Sequence, residues 1–419
     1  MPVPSELLSR ITNPRAYADG SIYETYRWLR RNDPCARIEA AGYDPFRVVT
    51  RHADIMEISR QNSLFHNAPQ PVLASHVEIA RSREMNGGSD EPIVKSLIHM
   101  DPPEHQRFRL LTQSWFQPKN LKRLEEDLRA LARASVDKMA ATGGHCDFVN
   151  EIALHYPLHV IMNILGVPVE DEPMMLKLTQ EMFGATDPDL ASASGEEGPK
   201  IDMMAAMQMM QYFTELTEKL RNNPTDNLAS IIANARINGE PISDLTTMGY
   251  YFIIATAGHD TTSSSTAGAL WALAENPDEF RKLKDNPALI PQMIEEAVRW
   301  VTPVKHFMRT VTEDTSIAGQ TLQRGEWLML CYASGNRDES VFEDPDEFRI
   351  DRKQQQHVGF GYGGHLCLGQ YLAKMEMRIL YEELIPRLDW VELDGNNAAM
   401  SSAIFVNGPK RLPIRFGMR

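Results

Sequence analysis

Cys367 lies near the end of the glycine-rich stretch FGYGGHLCLG (Phe360–Gly369), just ahead of a run that reads as a helix. The first N–H groups of that helix lack intrahelical partners. Together with the positive end of its dipole they favour a thiolate at Cys367. Gly363, Gly364 and Gly369 clear the backbone for something flat or bulky, and His365 can donate to an anion. One thiolate, a cleared backbone and a nearby donor fit a metal macrocycle bound through sulfur. A buried structural cysteine is the plainer alternative. A nucleophilic cysteine has no companion His or Asn pattern here.

Other chemistry-bearing groups are scattered along the chain. The run ATAGHDTTSSS (Ala255–Ser265) puts an acid, Asp260, beside an alcohol, Thr261, inside an apolar helix. Ala257 and Thr261 share a face, and the small Ala257 and Gly258 leave room beside it. Hydroxyls can bond the preceding turn and bend the helix. The arrangement fits a proton relay, and equally a polar stripe packed against other helices. Glu296 and Arg299, in EEAVRW, are spaced as a helical ion pair, ordinarily a weak surface feature. His105 and Arg109, four apart in DPPEHQRFR, and Arg309, in VKHFMRT, are donors of the kind a buried carboxylate needs, or else solvated charges.

The elements that must position these residues read as mainly helical with small sheets. Helical periodicity fills about 101–300 and 367–388, while strand patterns occupy about 36–51 and 305–331. With no repeat and no long linker, the 419 residues read as one domain. The net charge of −14 argues against nucleic acid as a partner. The N-terminus MPVPSELLSRITNP has no apolar signal core, and the apolar segment Tyr250–Leu273 carries His259, Asp260 and several hydroxyls. These features predict a buried helix rather than a membrane span, and a cytoplasmic location. Cys35, Cys146, Cys331 and Cys367 form no C-x-x-C pair, which speaks against zinc or a disulfide framework.

FGYGGHLCLG resembles the cysteine-loop signature of the cytochrome P450 haem-thiolate monooxygenases, F-x-x-G-x-R/H-x-C-x-G, at Phe360, Gly363, His365, Cys367 and Gly369. Ala257, Gly258, Asp260, Thr261 and Thr262 likewise resemble the family's A/G-G-x-D/E-T-T oxygen-activation motif. The resemblance implies the cytochrome P450 fold and haem b as cofactor. It makes Cys367 the axial ligand, with Phe360 and Gly361 beside the haem. His365, His105, Arg109 and Arg309 would stand around the propionates. The proton-delivery role falls on Asp260 and Thr261. Glu296 and Arg299 would form a buried structural set with Arg352, from DEFRIDR.

The same resemblance, nearest to bacterial terpene-hydroxylating members, implies hydroxylation of a small hydrophobic substrate with O2. The substrate would be a monoterpenoid or an aromatic hydrocarbon. Electrons would come from a [2Fe-2S] ferredoxin and its NAD(P)H-dependent reductase, since the chain has no flavin or iron–sulfur motif. A peroxide-using or rearranging haem-thiolate enzyme and a non-catalytic haem sensor are the alternatives. The acid–alcohol pair weighs against both. Family geometry places the pocket walls at Ile253, Thr256, Ala257, Lys305, Phe307, Phe405 and Val406. A methionine-rich region, including Met175, Met182, Met203, Met204, Met207 and Met209, reads as an adaptable lid or as plain packing. Arg109, Lys119, Lys122, Arg123, Lys353 and Lys374 form a local basic set for docking an acidic ferredoxin.

Overall fold

The computed structural model describes residues 4–89, 92, 94–183, 203–353 and 356–419. The side chains of Met182, Met203 and Met204 lie outside the described set. Met175 and Met209 are buried, and Met207 is exposed.

A 32-residue helix, Asp244–Glu275, runs through the molecule. Ser243 caps it by accepting from the Thr246 N–H, satisfying one of its free N-terminal donors. Its buried residues span both flanks, from Tyr250 and Tyr251 to Leu270 and Leu273, so it is enclosed rather than amphipathic. The helices His155–Leu165, Ile290–Val301 and Gln370–Arg387 pack directly on it. Pro157 sits in the first turn of the His155 helix, where a missing N–H costs least. The helix before it, Glu125–Ala141, packs against Gln370–Arg387 and completes this layer.

The two strand-rich ends of the sequence join in one five-stranded sheet. Its order is Arg37–Ile38, Phe46–Val49, Trp327–Cys331, His306–Val311, Phe65–His66. Phe46–Val49 pairs parallel with Trp327–Cys331, and the other pairings are antiparallel. Pairing of Leu328 with Arg309 and of Leu330 with Phe307 fixes the register, which puts Phe307 and Arg309 on one face of the sheet. A second sheet joins Leu388–Leu393, Pro413–Met418 and His145–Asp147. That last strand, and the hairpin Arg236–Ile237 with Glu240–Pro241, interrupt the stretch that reads as mostly helical. Both are two or three residues long, too short to leave a period-two pattern.

Candidate active site

The cysteine loop is closed by backbone bonds from Cys367 N to the Phe360 carbonyl (2.9 Å) and from Leu366 N to the Gly363 carbonyl (3.1 Å). The following helix begins at Gln370 with Gly369 as its cap. Burial pushes the Cys367 thiol up. The N–H groups of Gly369 and Gln370, with Arg109 and Lys374, pull it back toward the thiolate. The helix-terminus donors expected from sequence are therefore present, and enclosure by protein outweighs them. The side chain is nonetheless accessible, so it faces a hollow inside the protein rather than bulk solvent.

The glycines serve a different neighbour from the one expected. Gly363 has a φ of +70°, and a side chain there would overlap the Ser59 carbonyl. One at Gly364 would overlap Asn62. These two residues let the helix His52–Arg60 and the turn after it close on the loop from outside. Gly369 alone faces open space.

Four basic side chains converge beside the loop. The His105 and His365 rings lie 3.9 Å apart, centre to centre, inclined by 30°. Arg109 Nη2 donates to the Leu366 carbonyl at 2.7 Å. Arg309 is buried on its strand and donates to the Met308 carbonyl. Burial, then the charges of His105, Arg309 and Arg109, hold His365 down to about 2. Burial and then Arg109 hold His105 down to about 4. His105 Nδ1, His365 Nε2 and Arg309 Nε are buried without a hydrogen-bond partner among the described residues. Buried polar nitrogens are seldom left this way, and two guanidinium groups beside two imidazoles call for an anion.

On the long helix, Ala257 is exposed although Ile254, Ala255, Thr256 and His259 around it are buried, so it too faces a hollow. Thr261 Oγ1 donates to the Ala257 carbonyl at 2.7 Å, and Thr262 Oγ1 to the Gly258 carbonyl at 3.0 Å. The space at Gly258, expected to be part of the hollow, is taken by Ile161, whose Cδ1 stands 2.6 Å from where a side chain would begin. Asp260 is largely enclosed, its side chain 17% exposed.

Glu296 and Arg299 are joined by two 2.7 Å bonds, with both residues at most 2% exposed. Arg352 Nε reaches both Glu296 oxygens, at 3.1 and 3.2 Å. Arg299 also donates to the carbonyls of Asn336, Pro345 and Glu347. Asn336 passes the connection on: its side chain donates to Thr302 Oγ1 at 2.8 Å and accepts from Val358 N at 2.7 Å. Val358 stands two residues before Phe360, so this network holds the root of the cysteine loop.

Residues 54–416 match the sequence profile described as Cytochrome P450. The chain is 45% identical to "Cytochrome P450-terp" of Pseudomonas sp, over 99% of this chain and 98% of that protein. It is 32% identical to "Linalool 8-monooxygenase" of Pseudomonas putida, over 96% and 98%. The crystal structure of CYP108D1 from Novosphingobium aromaticivorans superposes with a TM-score of 0.92 at 42% identity, covering 100% of this chain and 99% of that one. The chain belongs to the cytochrome P450 family. Within the family it is a monooxygenase, and its cofactor is haem b.

The residues present fit that cofactor. An enclosed cysteine facing a hollow can ligate iron, and the unpartnered donors of His105, His365 and Arg309 match a carboxylate-bearing macrocycle. Among the described residues no helix is long and apolar enough to cross a membrane.

The expected pocket residues divide into two groups. Phe405 and Phe307 meet edge to face at 5.5 Å, with His306 against Phe405 and Tyr332 against Phe307. Ile253, Val406 and the two phenylalanines are partly exposed. Thr256 is buried and bonded back to the Phe252 carbonyl, so its hydroxyl hydrogen is already used. Lys305 does not present its charge to a pocket. Its ammonium donates to the carbonyls of Ala403 and Val406 and lies 4.9 Å from the Tyr17 ring centre.

The basic set is also smaller than its sequence count. Lys374 is bound by Glu295 (2.7 Å), Arg123 pairs with Asp226 (3.4 Å) and Arg109 is committed to the loop. Lys119 and Lys122 are exposed with no ion pair among the described residues, and Lys353 is exposed. Sequence reasoning did not single out Asn336, Tyr332 and His306. No local spacing marks a polar residue whose partners lie tens to hundreds of positions away.

Proposed function

We propose that this cytochrome P450 hydroxylates a small, uncharged terpenoid, with electrons from a separate ferredoxin of the [2Fe-2S] type. The substrate class rests on the residues expected to line the pocket. Phe307, Phe405, Val406, Ile253 and Ala257 offer apolar and aromatic surface, and the one charged candidate, Lys305, is tied to backbone carbonyls. Such a wall selects shape and apolarity and offers a carboxylate or phosphate nothing. The relative named for linalool oxidation supports the same class.

In this reading Cys367 holds the iron. His365, His105, Arg309 and Arg109 hold the propionates, and Glu296, Arg299 and Arg352 brace the loop. The haem supplies activation of O2 when bound. The polypeptide's share is orientation, proton delivery and exclusion of water. Thr261 gives its hydrogen to the Ala257 carbonyl, which leaves its oxygen lone pairs free to accept one from a neighbour. Asp260, one residue away and mostly shielded from water, is the acid that supplies protons to that alcohol.

The test is a spectral titration of the purified holoenzyme with linalool, a monocyclic monoterpene alcohol, a steroid and a monoaromatic hydrocarbon, followed by product analysis with NADH, reductase and ferredoxin. Tight binding and a single hydroxylated product are expected for a monoterpene alcohol. Preference for the steroid or the arene would overturn the substrate class. Turnover with peroxide alone at the same rate would overturn the electron source.

A further inference from the structure

His259 and Asp260 are consecutive on the long helix, where neighbours point about 100° apart and ordinarily do not meet. Here His259 Nδ1 lies 3.0 Å from Asp260 Oδ1. The imidazole is fully buried. Its other nitrogen, Nε2, lies 2.9 Å from the Leu154 carbonyl. A carbonyl can only accept, so Nε2 carries a hydrogen. In a neutral ring that leaves Nδ1 bare, its lone pair facing a carboxylate oxygen. Two acceptors this close, shielded from water, repel each other. The approach is also bent: neither Nδ1 nor Asp260 Oδ2 has a well-directed partner among the described residues. The contact is favourable only if one further proton lies between the two groups, as imidazolium–carboxylate or as imidazole–carboxylic acid.

We propose that His259 and Asp260 form a proton-holding dyad, in which the buried imidazole recharges the acid that serves Thr261. The idea rests on the reading of Asp260 as that acid. The transfer is a plain proton hop: Nδ1–H of His259 gives its proton to Asp260 Oδ1, leaving a neutral imidazole with its hydrogen on Nε2, and the pair regains a proton from water through Asp260, whose side chain is 17% exposed. No electron moves. Other titratable groups stand near the imidazole. The π-helical turn Val149–Ala153 leads into the His155–Leu165 helix, and both pack on the long helix. Exposed His155, next to Leu154, is held down by partial burial first, then by Lys138, and to a smaller extent by His259. Lys138 and Glu151, paired at 2.9 Å, flank His155.

The decisive variant is His259→Gln. Its amide can still donate to the Leu154 carbonyl, but it cannot hold a proton. In the holoenzyme, haem content and Tm should match wild type. Coupling of NADH use to product should fall on the order of tenfold, short of the roughly 10²-fold or greater loss expected for removing the acid itself. The solvent deuterium isotope effect on turnover should rise. Nitrogen NMR of ring-labelled histidine in the diamagnetic ferrous carbon monoxide form gives a readout independent of turnover. The signal missing in His259→Gln should report a hydrogen on Nε2 and a shared proton at Nδ1, with the latter lost in Asp260→Asn. A bare Nδ1 in wild type at neutral pH would overturn the dyad even if His259→Gln failed to fold. If Asp260→Asn uncouples turnover and His259→Gln does not, the dyad fails alone. If neither does, the acid–alcohol reading fails with it.

Discussion

Removing either side of the Glu296–Arg299 pair should be costly, and the two costs should differ. Arg299 spends its guanidinium on two buried bonds to Glu296 and three to backbone carbonyls, one of these buried and two part-buried. Glu296 serves two arginines at once and accepts the Arg349 N–H at 2.9 Å. In Arg299→Ala the buried carboxylate keeps Arg352 as a counter-ion, so the loss should sit near the lower end of the roughly 3–5 kcal/mol typical of a broken buried pair. In Glu296→Ala two buried guanidinium groups face each other without an anion, so the loss should reach or pass the upper end. For a chain of 419 residues unfolding as one unit, the unfolding entropy is about 0.9 kcal/mol per degree, so these losses convert to about 3–6 °C. The double variant should cost less than the sum of the singles, with a coupling of about 1–3 kcal/mol, because it leaves one buried guanidinium, Arg352, without its carboxylate rather than two. Calorimetry on the haem-loaded proteins, with haem content measured in parallel, checks all three values. Singles within about 1 kcal/mol of wild type, typical of exposed pairs, or Arg299→Ala clearly worse than Glu296→Ala, would refute the argument.

Four further outcomes are expected. Burial pulls the Lys305 ammonium from its ordinary 10.5 down to about 7. Between those values the unfolded chain binds the extra proton, so stability should rise with pH from about 7 to about 10, by at most about 1.4 kcal/mol per unit. Denaturant titrations should show that slope reduced in Lys305→Met, and equal slopes would sink the assignment. Thr261→Ala should keep substrate binding while diverting electrons to peroxide, measured as peroxide formed per NADH; unchanged coupling would remove Thr261 from proton delivery. Arg309→Met strips one donor from the propionate cluster and should speed haem transfer to apomyoglobin several-fold, with identical transfer rates counting against the cluster. Lys119→Glu with Lys122→Glu, two exposed cations with no ion pair among the described residues, should slow first-electron transfer from the ferredoxin and flatten its salt dependence. Stopped-flow reduction as fast as wild type at low salt would place docking elsewhere.

The amino-acid sequence by itself determined the features whose partners are close along the chain. The cysteine loop, the acid–alcohol run and the E-x-x-R pair are each set by spacings of a few residues, and local backbone geometry turns such spacings directly into proximity. The long helix was legible because its hydroxyls and His259 ruled out a membrane span while its length and apolarity demanded burial. What lay beyond reach were the contacts between distant segments. Arg123 is neutralised by Asp226, 103 positions on, and Lys374 by Glu295 on another helix. A count of cations therefore overstated the basic surface. The family resemblance puts Lys305 in the pocket wall. Only the fold brought the carbonyls of Ala403 and Val406 to its ammonium and turned it away. Gly363 and Gly364 marked a close approach, but the identity of the neighbour depended on the packing of the His52–Arg60 helix. His259 was plainly polar within an apolar run, yet its tautomer is set by the carbonyl of Leu154, 105 residues earlier. Side-chain charge and reach are written in the residue type, whereas the partner that uses them is chosen by tertiary packing, because an ion pair or hydrogen bond acts over a few ångströms of space however many residues separate its ends.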